Sequence, residues 1–316
     1  GCNGGRIART PVIDGLAAAG VNYTRAHNQN VVCMPARATI ISGQHVRSHG
    51  VTMNGIPLPE DTPDIARQLK TAAGYKTALI GKAHFEPASA PGGPYFENYA
   101  ASRSLTGPHR GFDHMELAGH TGRAGRSLFH YPKWLDETYP GASQGYQEYV
   151  SPAKEISGRP GGDTGAPQVW HNPIPREIYH TDWVADRTIA WLDSLDADAD
   201  WFVWMSFPDP HHPWDPPQSE LDRVDWRDLD LPAAYPGDRD KTIAILETKP
   251  RHWLDWYLGK AQYAYEVPKS FIPAEMTADQ IREVNAMCHI ENELIDEALG
   301  RVLRHIDIVA PHHHRL

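Results

Sequence analysis

Residues 62–82 read TPDIARQLKTAAGYKTALIGK, and this stretch decides the fold class. Thr62-Pro63 supplies a capping hydroxyl and then a proline, whose missing N–H is tolerated at a helix start. Ile65, Leu69 and Ala73 recur at helical spacing, and Gly74 is a natural stop because it accepts the left-handed backbone that ends a helix. Tyr75 to Ile80 follows at once as a short buried-type strand, ending in Gly81-Lys82. A glycine-closed helix running straight into a buried strand argues for an α/β fold with a largely parallel sheet.

The same rhythm recurs on either side. Thr10-Pro11 opens a helix with Ile13, Leu16 and Ala17 as its apolar stripe, Gly20 ends it, and Val21 to Thr24 is expected as a strand. Pro35 to Ser42 is expected as a second helix, closed by Gly43. Downstream, Thr181 to Leu195 reads as a helix, Trp201 to Phe207 as an apolar strand, and Pro208 to Pro217 as a proline-stiffened loop. Tryptophan-rich Arg251 to Tyr263 reads as a further helix. Thr277 and Gln280 make a capping box for a long helix running to about His305. Between Glu86 and His180 neither period holds for long, so this stretch is expected to be functional loop or an elaborated cap. Trp183, Trp191, Trp204 and the Trp253/Trp256 pair are expected in the core.

Composition narrows the functional classes. The chain has 316 residues, 40 acidic against 30 basic side chains and a formal charge of −10. A nucleic-acid binder would usually carry a basic surplus, so nucleic acid is not an expected partner. No window approaches the ~18 apolar residues of a membrane span, so no membrane partner is expected either. Cys2, Cys33 and Cys288 are an odd and widely spaced set that implies no disulfide framework. Proline (27) and histidine (18) are abundant, which suggests long ordered loops and a metal or acid/base site.

Cys33-Met34-Pro35-Ala36-Arg37 sits at a strand-to-helix junction, where the helix dipole favours a thiolate. A buried small hydrophobe would also explain a lone cysteine. A cysteine-phosphatase loop needs an arginine six positions after the cysteine, and Thr39 stands there. A papain-type site needs a paired histidine that one sequence cannot fix. The remaining nucleophilic reading is C-x-P-x-R, the motif in which cysteine is oxidised to formylglycine.

Taken with Ala38 to Gly43 and His49-Gly50-Val51, this motif resembles the signature of type I, formylglycine-dependent sulfatases in the alkaline-phosphatase superfamily. Thr10 to Ala17 looks like that family's T-P-x-x-D-x-L-A helix. Gly74 to Ala78 with Gly81 to Phe85 resembles its second signature. Gly111-Phe112-Asp113, Pro210-His211-His212-Pro213, and Ile295-Asp296 with Gly300 to Leu303 match further landmarks in order. The resemblance implies an alkaline-phosphatase-like three-layer α/β sandwich with a mainly parallel central sheet, incomplete at both ends. It implies one catalytic domain over residues 1–316, with 86–180 as a loop-rich insertion.

The implied activity is hydrolysis of a small sulfate monoester. Cys33, as formylglycine, would be nucleophile and metal ligand, and a formylglycine-generating enzyme would be a partner. Arg37, one turn along, would hold the hydrated aldehyde. Lys82 would contact sulfate and His84 would act as a base on the formylglycine. His211 would contact sulfate or protonate the leaving oxygen, with His212 as the adjacent alternative. Asn54 matches a substrate-binding asparagine, although a turn asparagine is an equal explanation. Asp14, Asp113 and Asp296 are expected to be capping or structural. The implied cofactor is a divalent metal, Ca²⁺ ahead of Mg²⁺ or Mn²⁺. Alternative readings are a phosphonate monoester or phosphodiester hydrolase, or a non-catalytic binding protein on the same fold.

The resemblance also implies acidic metal ligands on a strand before Gly1 and on another after the long C-terminal helix. The sequence is therefore expected to be the middle of a longer protein, with little catalysis as it stands. If His312 to His314 are encoded CAC, a one-base shift gives Thr-Thr-Thr and then a GNC codon, so a frameshifted tail is a further expectation.

Overall fold

The buried run after Gly74 forms strand β1 (Lys76–Gly81), of which all but Lys76 is buried. A computed structural model describes residues 1–88, 93–120, 127–142, 161–261 and 271–309. In it, β1 lies between two parallel neighbours, β2 (His114–His120) and β4 (Trp201–Ser206), and β3 (Ser127–Phe129) pairs antiparallel with β2. The sheet order is β3-β2-β1-β4, mixed but mostly parallel.

The α-helices among the described residues, in chain order, are α1 (Pro11–Ala19), α2 (Cys33–Ser42), α3 (Val46–His49), α4 (Ile65–Ala73), α5 (Phe96–Ser102), α6 (His130–Thr138), α7 (His180–Asp193), α8 (Arg239–Glu247), α9 (Arg251–Tyr257) and α10 (Ala278–Val309). Side chains alternate across a strand, so β1 feeds two cores. Ala78 and Ile80 join one, with Trp183 and Val184 of α7 and Ile290 and Leu294 of α10. Leu79 joins the other, with Met34, Ala38 and Ile41 of α2 and Ala66 of α4. The result is three layers, helices–sheet–helices, as the resemblance implies. Leu79 and Ile80 are fully buried, each stabilising the fold by about 1.5–3 kcal/mol.

Local signals mostly hold, with shifts that have physical causes. Helix α2 starts at Cys33 rather than Pro35, because proline fits anywhere in the first turn, where backbone N–H groups have no helical partner. Helix α4 is capped by Asp64, which accepts from the Arg67 amide at 2.7 Å, and not by Thr62. Thr10 likewise makes no cap and hydrogen-bonds Asp14 instead, at 3.3 Å. Val21 to Thr24 is not a strand: Val21 and Tyr23 are about three-quarters exposed, and no strand among the described residues pairs with them. β-propensity without a partner ladder does not make a strand.

The stretch 86–180 is also less irregular than expected, since it contains β2, a strand inside the sheet. Its pattern is obscured by His114 and Glu116, which pair at 2.9 Å, while Arg187 reaches Glu116 at 2.7 and 2.9 Å. Trp183 and Trp191 are core residues, but Trp253 is half exposed on the short helix α9. That helix ends at Tyr257, and the rest of the expected span reaches residues outside those described, as does the His312–His314 run. Asp296 accepts from the amides of Val12 and Ile13 at 3.0 and 2.8 Å, capping α1 from within α10.

The capping box of α10 is present: the Thr277 amide donates to Gln280 Oε1 at 3.0 Å, and the Gln280 amide to Thr277 Oγ1 at 3.2 Å. Thr277→Ala is expected to destabilise the protein by about 1 kcal/mol, read as a lower urea midpoint at unchanged slope.

Candidate active site

Strands β1 and β4 run parallel in register, Gly81 opposite Ser206, so the chain leaves both at one edge of the sheet. Ligands of open α/β sheets gather at such carboxyl ends. The approach is close: a Cβ on Gly81, whose φ is +102°, would lie 1.8 Å from the Ser206 carbonyl oxygen, so glycine is required. Lys82 follows, its amide donating to the Ser206 carbonyl at 2.7 Å. The loop after β4 carries His211, and the N-terminus of α2 brings Cys33 to the same edge.

Arg37 ties these pieces together. Its Nε donates to the Ala83 carbonyl at 2.6 Å, and its Nη2 to the Lys82 carbonyl and to Ser206 Oγ, the latter at 2.6 Å. The guanidinium also lies over the Trp204 ring, 5.2 Å from its centroid. Burial lowers its pKa to about 10, against the opposing pull of the Glu97 and Cys33 charges, so it stays protonated at neutral pH.

His84 adopts a left-handed backbone, φ 59°, which a side-chain-bearing residue rarely does. Its neighbours hold it there: Arg37 grips residues 82 and 83, Glu97 Oε1 accepts from the Phe85 amide at 3.0 Å, and the Phe85 carbonyl accepts from Leu58 at 2.8 Å. This kink lets both Lys82 and His84 act on Cys33.

Cys33 is half-buried. Burial alone would raise its thiol pKa, but hydrogen bonds from His211 and His84, with the charges of His84 and Lys82, overcome that and bring it down to about 4. Residue 33 is therefore a thiolate at neutral pH, ringed by donors. Asn54 completes the ring, with Nδ2 3.3 Å from Cys33 Sγ and Oδ1 accepting from the Met34 amide at 3.0 Å. Asn54 thus satisfies a first-turn N–H of α2 from outside the helix. Asn54→Ala is expected to cost about 1 kcal/mol of stability and to move the Cys33 thiol pKa upward, followed by thiolate absorbance against pH.

Cys33, Arg37, Asn54, Lys82, His84 and His211 thus converge on one spot. His211 reaches Cys33, and His212 stacks behind it with ring centroids 4.3 Å apart. Sequence reasoning missed Ser206 and Glu97, and Trp204 was read as core although it also faces Arg37. A hydroxyl closing an apolar strand was the available signal for Ser206; Glu97 had none.

Positive and donor groups around an anionic atom suit a tetrahedral oxyanion. They fit a hydrated formylglycine at residue 33 equally well, since its hydroxyls could hydrogen-bond His84, His211 and Asn54. They do not fit a divalent cation. Among the described residues, the groups able to hold a metal are Glu86/Glu97/His109 and Asp163/His171/Glu283, and neither includes Cys33.

The sulfatase family model matches residues 1–228, and the chain belongs to that family, within the alkaline-phosphatase superfamily. Members generally use a divalent metal and formylglycine. The chain is 27% identical over 246 residues to an arylsulfatase of Clostridium perfringens, covering 75% of this chain and 45% of that protein. It is 22% identical over 304 residues to the multifunctional alkaline phosphatase superfamily protein PehA of Trinickia caryophylli, covering 95% and 54%. In fold it is similar to the phosphonate monoester hydrolase of Agrobacterium radiobacter, with a TM-score of 0.72 at 22% identity over 98% of this chain and 56% of that one. The chain thus spans about half the length of the curated relatives it matches. Among the described residues, no helix is long and apolar enough to cross a membrane.

Proposed function

We propose that this chain carries the nucleophile and oxyanion-binding half of a sulfatase acting on a small sulfate monoester. In this reading Cys33 is converted by a formylglycine-generating enzyme, and Ca²⁺, ahead of Mg²⁺ or Mn²⁺, is the family's divalent ion. The observation that carries it is the convergence of Lys82, His84, His211 and Asn54 on the first residue of a C-x-P-x-R helix. Hydrated formylglycine would supply one hydroxyl as nucleophile, and loss of the proton from its second hydroxyl would break the bond to the sulfated oxygen, releasing sulfate and restoring the aldehyde, a route a thiol lacks.

The chain's own residues divide the remaining work. Lys82 neutralises the oxyanion charge, which a low-dielectric site rewards more than water does. His84 takes a proton from the residue 33 hydroxyl, and His211 delivers one to the leaving oxygen. Arg37 positions all three by fixing the ends of β1 and β4. No step is assigned to the metal, because the described residues offer it no ligand set at Cys33.

A phosphonate monoester presents a tetrahedral centre and a single charge much like a sulfate monoester, and these residues would bind it too. The alignment with a multifunctional superfamily member over 95% of the chain favours keeping this second reading. The test is to co-produce the protein encoded by the complete gene with a formylglycine-generating enzyme. Mass spectrometry of the Cys33 peptide is expected to show the aldehyde, and aryl sulfate to be cleaved faster than an aryl phosphonate monoester. The opposite preference would support the second reading. A persistent thiol with neither ester cleaved would leave a binding protein on the sulfatase fold.

A further inference from the structure

Behind the Cys33 site lies a cluster that the proposed chemistry does not use. Glu86, Glu97 and His109 are 6%, 0% and 3% exposed, and one ligand atom from each lies within 4.8 Å of the others. His109 Nε2 stands 3.5 Å from Glu97 Oε1. Amides satisfy part of the cluster: Phe85 N donates to Glu97 Oε1 at 3.0 Å, and Glu97 N to Glu86 Oε2 at 2.7 Å. Glu97 Oε2 and His109 Nε2 have no hydrogen-bond partner. Buried polar atoms left unpaired cost about 1–3 kcal/mol each, and native interiors leave few of them.

The nearby cations do not close the gap. Arg110, whose charge reaches Glu86, directs its terminal nitrogens to the carbonyls of Leu58 and Pro59 at 2.7 and 3.0 Å. Arg37, whose charge reaches Glu97, hydrogen-bonds Ala83, Lys82 and Ser206. Phe96 stacks on the His109 ring at 5.2 Å and 21°, fixing its plane.

We propose that Glu86, Glu97 and His109 form a structural site for one divalent transition cation of the Zn²⁺ type. One imidazole nitrogen and two carboxylates are a usual zinc donor set, and bidentate binding by Glu97 would make the site four-coordinate and closed. The 3.5 Å spacing of His109 and Glu97 is close to the edge of a tetrahedron with ~2.1 Å bonds, about 3.4 Å. Ca²⁺ wants six to eight oxygens, and Mg²⁺ keeps several waters, so a buried three-residue site suits neither. The ion would pin Glu86 and, through Glu97, the Phe85 amide, and so brace the segment that carries Lys82 and His84.

The other candidate group, Asp163/His171/Glu283, makes a weaker site because Asp163 is exposed and both Glu283 oxygens already have donors, so no buried atom of it is left unpaired. Glu283 accepts from the amides of Asp163 and Thr164 at 2.6 and 3.0 Å, and Asp163 from Trp226 Nε1 at 3.0 Å.

The untagged chain, stripped with chelator and reloaded with Zn²⁺, is expected to retain one equivalent after dialysis and to gain several degrees in Tm. Co²⁺ in its place is expected to give the intense visible bands of a tetrahedral site. Glu97→Gln and His109→Gln should each weaken Zn²⁺ binding at least tenfold. Cys33→Ala, Asp163→Asn and replacement of His312 to His314 by alanine should each retain the equivalent. Should the cluster variants not fold, zinc anomalous scattering from wild-type crystals gives the answer directly. A peak among the three side chains supports the site. A peak elsewhere, an equivalent lost with Cys33→Ala or Asp163→Asn, or a wild-type Tm unmoved by Zn²⁺ overturns it.

Discussion

Iodoacetamide is expected to alkylate Cys33 of the unconverted chain almost as fast at pH 5 as at pH 8. With a thiol pKa of about 4, Cys33 is mostly thiolate at pH 5, where an ordinary thiol near 8.5 is ionised to roughly 0.03%. That is about 3,000-fold more nucleophile, but a thiolate of lower basicity reacts more slowly. A Brønsted slope of 0.4–0.5 over ~4.5 pKa units offsets about 100-fold of the gain. The net advantage over an ordinary thiol is then about 30-fold at pH 5, and it vanishes between pH 6 and 7. The diagnostic is therefore the shape of the profile: thiolate is lost only as pH falls through about 4.

Cys288 is an internal control, since burial, with the Glu291 and Asp209 charges, pushes its thiol up to about 12. His211→Gln and His84→Gln remove the groups that overcome burial at Cys33. The double variant is expected to regain an ordinary slope, close to tenfold per pH unit. Peptide mapping by mass spectrometry follows each cysteine separately. A wild-type Cys33 rate that already climbs tenfold per unit from pH 5 to 8 would sink the thiolate assignment. The pH dependence of stability has the same origin. Because the folded-state pKa is depressed, the stabilisation is complete above the unfolded thiol's value near 8.5 and is lost as pH falls through the folded value.

Much of this arrangement was legible in the chain because short-range chemistry dictates it. The Gly74 stop, the buried run to Ile80, and the glycine at position 81 fix where β1 ends, and Lys82 and His84 must emerge there. The C-x-P-x-R spacing places Cys33 and Arg37 one helical turn apart, whatever surrounds them. What the chain hid depends on contacts distant in sequence. β2 was obscured because Glu116 is buried against Arg187, 71 positions away, as well as beside His114. Val21 to Thr24 has strand propensity but no neighbouring edge among the described residues. The left-handed His84 is held by Arg37 and Glu97, and neither hold has a signature near residue 84. The partners of Arg37 are likewise backbone carbonyls and one hydroxyl, which no residue pattern records.

Those partners make Arg37 a brace of the site, and Arg37→Ala is expected to destabilise the fold by about 3–5 kcal/mol, the low end of the cost of three buried acceptors left unpaired. Removing the side chain leaves the Lys82 and Ala83 carbonyls and Ser206 Oγ without their donors, at about 1–3 kcal/mol for each group that stays buried and unpaired. It also leaves the Trp204 face without its cation. Lys82 and His84, both buried, would lose the grip that holds their backbone in the kink. Arg37→Lys keeps the charge, but a point ammonium cannot reproduce a planar fork that reaches two carbonyls and a hydroxyl. It should recover less than half of the lost stability. Urea unfolding monitored by tryptophan fluorescence measures both variants, and Trp204 beneath the guanidinium makes the native signal sensitive to the change. If Arg37→Ala unfolds within about 1 kcal/mol of wild type, as an ordinary surface substitution would, then Arg37 does not brace the strand ends, and the convergence on Cys33 must be held by β1 and β4 alone.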